Sequence, residues 1–209
     1  PPRSTLFPYT TLFRSRSGLA DTVAAFLMLS AAFLAALGSG LSIVEERSAG
    51  VNRALAASPV GVGTYFAGKL LFITAVSTAV SLGASLLLYG LDAPFGRLAL
   101  AALAAAPLGL AVALALGLLA DSMIAAMGAI KLIMPLFLTV PLVYVIVPQG
   151  ARAWFLAFPN VWMLELYRAT FAGAGLSGFL VPLAATAVLG CALLIPLSAI
   201  ARKRLGLKL

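Results

Sequence analysis

Histidine is absent from this chain, cysteine occurs once, and only six of its 209 residues are acidic. Without histidine the commonest metal ligand and general base is missing, which excludes HExxH zinc proteases and histidine-dependent serine hydrolysis. Cys191 lies inside an apolar run with no second cysteine to pair with, so it says nothing about redox compartment. Charge is scarce too, at 10% of residues, and no run interleaves basic residues with stacking aromatics. The net charge of +8 therefore gives no reason to invoke nucleic acid. What the chain has in abundance is apolar surface: 63% of residues are hydrophobic and the mean hydropathy is +1.11. A water-soluble domain of this length cannot keep that much apolar surface away from solvent. Inside a bilayer every backbone polar group must be satisfied within the protein, so the spans are helices or a closed barrel. Long Ala/Leu/Val/Gly runs without period-two alternation exclude the barrel. The expected fold is an all-α integral membrane protein.

A crossing needs about 20 apolar residues. Five stretches qualify: Thr22–Val44, Thr64–Tyr89, Leu98–Leu119, Met123–Val147 and Phe179–Ala201. Pro135 and Pro141 are expected to kink the fourth span, and Gly38, Gly40, Gly83, Gly109 and Gly117 to let helices approach closely. Orientation follows from the Lys/Arg bias of short loops. Arg202, Lys203, Arg204 and Lys208 just beyond the fifth span predict a cytoplasmic C-terminus in the cell membrane. Alternate crossings then place the Glu45 segment and Asp121 inside, and the Leu91–Arg97 turn and the Pro148–Gly178 connection outside. That connection gathers Trp154, Phe155, Phe158, Trp162, Tyr167 and Phe171 beside Arg152, Glu165 and Arg168. It reads as an aromatic belt at the outer interface, with short re-entrant or surface helices as the alternative.

The first fifteen residues, PPRSTLFPYTTLFRS, are reproduced in order by translating a short-read sequencing adapter. Residues 1–15 are therefore expected to be an artefact and residues 16–209 a transmembrane domain truncated at its N-terminus. A protein that begins in the cytoplasm needs one more helix upstream, giving six in the intact protein.

The most informative polar stretch joins the first two spans. Glu45, Glu46 and Arg47 are expected to leave the first span at the cytoplasmic interface, and Val51 and Leu55 share one face at i, i+4 spacing before Pro59 stops the helix. This predicts a short amphipathic helix along the membrane. Tyr65 and Lys69 open the next span, the ring at the interface and the lysine snorkelling toward phosphates. An ordinary boundary loop is the plain alternative. The GxxxxGK spacing of Gly63–Leu70 lacks the Ser or Thr that would hold magnesium and has no preceding strand, so a nucleotide site is set aside.

Adjacent glutamates, a glycine, a leucine, the Ser58-Pro59 pair and an aromatic before Gly68-Lys69 resemble the loop after the second helix in the type-2 family of ATP-binding-cassette exporter permeases. The nearest likeness is to its drug-export permeases, including those for fluoroquinolones. The resemblance implies a six-helix permease that exports an amphipathic or drug-like solute and works as a homo- or heterodimer. It also implies no catalysis or cofactor in this chain, since a cytoplasmic ATPase partner carries ATP and magnesium. The coupling loop, residues 45–63, would be Glu45, Glu46, Arg47, Gly50, Arg53, Ser58 and Pro59. An ion-coupled secondary transporter is the rival reading. It requires Asp121 and Lys131 to be buried and titrating.

Overall fold

The computed structural model describes residues 17–51 and 62–205. They fold into α1 (Ser17–Ser48), α2 (Val62–Tyr89), α3 (Phe95–Leu119), α4 (Met123–Met134), α5 (Val140–Ile146), α6 (Gln149–Phe155), α7 (Pro159–Phe171) and α8 (Leu176–Leu205). No strand occurs among the described residues. Among the described residues five crossings are long and apolar enough to span a membrane, the fourth formed by α4, a π-helical turn at Pro135–Thr139, and α5. The expected spans match these helices, but α1 continues past Val44 to Ser48 and takes Glu45, Glu46 and Arg47 with it. The adapter-like residues, Leu55 and three of the expected coupling residues, Arg53, Ser58 and Pro59, lie outside the described residues.

α1 and α3 form the centre. Their most apolar stretches are 61% and 67% buried, against 22% for each of the other three crossings. Small residues allow this. A Cβ on Gly40 of α1 would meet the Leu116 side chain at 2.9 Å and the Ala113 carbonyl at 3.1 Å, and one on Gly117 of α3 would stand 2.7 Å from Ile43. Gly109 similarly leaves room for Ile73 of α2. Gly38 and Gly83 do not act this way, because a Cβ at either would meet nothing within 4 Å.

The two prolines of the fourth crossing produce a π-turn, and the structure shows what stabilises it. Pro141 has no N–H to give to the carbonyl four residues back, Phe137, or five back, Leu136. Asn160 supplies the missing donor: its Nδ2 donates to Leu136 O at 2.9 Å and to Phe137 O at 2.8 Å. Asn160 sits in the first turn of α7, so the α6–α7 hairpin turns back at the level of mid-span residues of the fourth crossing. This re-entrant packing corrects the aromatic-belt expectation. Val161, Leu164, Leu166 and Tyr167 of α7 are fully buried, although Trp154 of α6 remains 82% exposed, as a belt residue should be. α7 is held at its other end by Phe171, stacked on Tyr89 of α2 at 5.0 Å.

Replacing Asn160 with alanine removes the side-chain donor from two carbonyls inside a span, that of Phe137 buried, at about 1–3 kcal/mol for a buried one. Asn160→Ala should lower the melting temperature of the detergent-purified protein, and Asn160→Asp, which opposes a carboxylate to two carbonyl oxygens, should lower it further. An Asn160→Ala melt equal to wild type would refute this account of the π-turn.

Candidate functional site

The polar end of the α1–α2 pair is built by helix register. Adjacent residues on a helix point about 100° apart, so Glu45 and Glu46 cannot share a direction. Glu45 is exposed, and Glu46 turns toward α2. On α2, Tyr65 and Lys69 are one helical turn apart and both face Glu46. Lys69 Nζ lies 2.6 Å from Glu46 Oε1, the Tyr65 hydroxyl donates to Glu46 Oε2 at 2.6 Å, and Ser42 Oγ donates to Oε1 at 2.9 Å. Lys69 also donates to Ser42 Oγ and stands 5.4 Å from the Tyr65 ring centroid. Tyr65 and Lys69 therefore do not reach out to phosphates as their positions in the sequence suggest. They close an internal network in which the Lys69 and Glu46 side chains retain 13% and 28% of their exposure.

Arg47 forms a second tie. Its Nη1 lies 2.7 Å from Asp121 Oδ1 and 3.3 Å from the Gly117 carbonyl, one of the last four of α3 and so without a partner inside that helix. Positive charge is favourable at that C-terminus, and Asp121 precedes the Ser122 cap of α4, where negative charge is favourable. Asp121 is itself 80% exposed and Lys131 is also exposed, so the condition set by the ion-coupled reading is not met. Gly50 ends the α1 segment at φ +74°, the left-handed geometry that glycine adopts without a Cβ penalty. The Gly63–Leu70 stretch is helical rather than a phosphate-binding loop.

Between α1 and α2 beside the ion pair lies a cavity of about 430 Å³, lined by Tyr65, Phe72, Gly38 and Gly68 as well as by the pair itself. Ser39 lines it, only 1% exposed, and its hydroxyl has no hydrogen-bond partner among the described residues. Sequence reasoning missed Ser39, Ser42 and the pairing role of Lys69. The i+4 spacing of Ser42 and Glu46 opposite that of Tyr65 and Lys69 was the available signal.

The model of the fluoroquinolones export permease protein Rv2686c-like family matches residues 7–197, nearly the whole chain. The chain belongs to this family. No curated protein and no solved structure matches it. Membership in an export permease family agrees with five apolar crossings and makes this a multi-pass membrane transport protein.

The two ion pairs should differ in weight. Removing one partner of the Glu46–Lys69 pair leaves a largely buried charge, at a cost approaching the ~3–5 kcal/mol of a fully buried pair, whereas neutralising both is far milder. Thermal melts of Glu46→Gln, Lys69→Met and the double variant should show each single change more destabilising than the two together. Breaking Arg47–Asp121, whose acid is exposed, should cost at most about 1 kcal/mol.

Proposed function

We propose that this permease is the membrane-spanning half of an ATP-driven exporter of amphipathic, drug-like solutes, fluoroquinolones among them, and that residues 45–63 couple it to a cytoplasmic ATPase. The observation that carries the reading is the cross-linking of the loop's two roots. Glu46 at one root is tied to Tyr65 and Lys69 at the other, while Arg47 ties the same helix end to the α3–α4 junction. A push on residues 52–61 is then delivered to α1, α2 and the α3–α4 corner together, because the helix ends that flank the loop cannot move independently.

On this reading the Glu46 end of the bundle, which also carries Asp121, faces the cytoplasm, as the Lys/Arg residues that follow the fifth crossing in the sequence favour. ATP and magnesium are bound and used by the partner, and this chain performs no chemistry. A second permease chain, identical or not, completes the pathway. The exposed leucines and methionines of the fourth and fifth crossings are of the kind that lipid or such a chain would cover.

The test is co-expression of the full-length permease with its ATPase and reconstitution into liposomes. Replacing Glu46 with Gln and Arg53 with Ala together should leave ATP turnover within about twofold of wild type while drug transport per ATP falls about tenfold. An unchanged ratio of transport to hydrolysis would defeat the coupling assignment. Protection of residues 45–63 from protease added to the cytoplasmic face would defeat the orientation.

A further inference from the structure

The cavity beside Lys69 combines features that a purely structural ion pair does not need. It contains both signs of charge in contact, hydroxyls from Ser39 and Ser42, and aromatic walls from Tyr65 and Phe72. Gly38 and Gly68 in its lining are exposed, and Leu34, one turn before Gly38 on α1, is 66% exposed. The Ser39 hydroxyl lacks a partner in a place where an unmade hydrogen bond is costly. The site therefore has one unused polar group, and its two opposite charges lie in contact, with Tyr65 donating to Glu46 and Ser42 bonded to both.

We infer that this cavity binds the head of a zwitterionic amphiphile, one carrying an anion and an ammonium a few ångströms apart, with its apolar tail laid along Leu34 and Phe72. The ion pair makes the selection. A head of this kind separates Glu46 from Lys69 and returns a partner to each: its anion goes to Lys69 with Ser39 and Ser42 donating, and its ammonium goes to Glu46. The charge sum of the site stays at zero throughout. A purely anionic or purely cationic head pairs with one side chain and leaves the other without a counter-charge, held only by Tyr65 and Ser42, in a region of low dielectric, which opposes binding. A neutral head gains nothing from opening the pair. Two sources offer this chemistry, a bilayer lipid with a phosphoethanolamine head or an exported solute with an amino-acid head. Neither involves the ATPase, so binding is measured on the permease alone, and its failure leaves the coupling assignment standing.

The experiment titrates the full chain in dodecylmaltoside micelles with phosphatidylethanolamine, phosphatidylglycerol, a trimethylammonium lipid and 2-aminododecanoic acid, reading bound ligand by native mass spectrometry. At least one of the two zwitterions should bind at least tenfold tighter than the singly charged lipids. That preference should vanish in the Glu46→Gln, Lys69→Met double variant. Ser39→Ala removes an unpaired hydroxyl and should fold at least as well as wild type, yet bind the zwitterion about threefold more weakly. Tighter binding of phosphatidylethanolamine than of aminododecanoate identifies a lipid site, and the reverse order identifies a solute site. The proposal is overturned by equal binding of all heads, by preference for a singly charged head, by no saturable zwitterion binding, by a preference that survives neutralisation, or by unchanged binding in Ser39→Ala.

Discussion

A polar group without a partner in hydrocarbon costs several kcal/mol, and the packing of this bundle follows from where such groups fall. Three arginines resolve the helix ends in the same way. Arg47 donates to Gly117 O at the end of α3, Arg152 to Val145 O and Val147 O at the end of α5, and Arg97 to Ala174 O just past α7. Arg47 and Arg152 place a permanent cation where the helix macrodipole is negative and carbonyls have lost their intrahelical donors, and Arg97 satisfies a carbonyl of the turn between α7 and α8. Asn160 does the same for an interior break, letting two prolines remain in a membrane span without stranding Leu136 O and Phe137 O. Tertiary structure here is largely the answer to a local question, which side chain reaches the carbonyls that each helix leaves open.

That logic explains what the sequence reveals and what it hides. The five crossings are legible because hydropathy and length alone determine them, and the Lys/Arg boundaries mark their ends. The α6–α7 hairpin is hidden: PNVWMLELYRATF is too short to span and carries Asn160, Glu165 and Arg168, so its composition reads as surface. Yet α7 is buried more fully than most crossings, because Arg168 pairs with Glu165 at 2.6 Å on its own helix and Asn160 spends its amide on the π-turn. Polar residues with internal partners cease to signal exposure, and only the pairing, which is tertiary, shows it. The buried serines Ser77, Ser81 and Ser85 of α2 are hidden for a different reason, since their hydroxyls have no hydrogen-bond partner among the described residues. With Lys69, Ile73 and Tyr89 they repeat every four residues on one face, and in the sequence that face is indistinguishable from a lipid-facing one.

The acidic pair at the end of α1 shows where motif-based reading and geometry part. As a motif, Glu45 and Glu46 are one feature; on a helix they are two. Glu46 is used internally by Lys69, Tyr65 and Ser42, and Arg47 by Asp121 and Gly117 O, so neither offers a free charge to a docking partner. Glu45 is exposed and makes no such tie among the described residues. If an ATPase docks here, Glu45 and Val51 present the surface that it meets, whereas Glu46 and Arg47 determine how stiffly the contact is transmitted. A glutamine at position 46 keeps the shape of the surface but loosens the root beneath it, so the expected lesion is lost transmission with docking retained. A charge reversal at Glu45 alters the surface and leaves the root intact, so docking should weaken while the permease remains as stable as before. These opposite outcomes follow from a single helical step of about 100°.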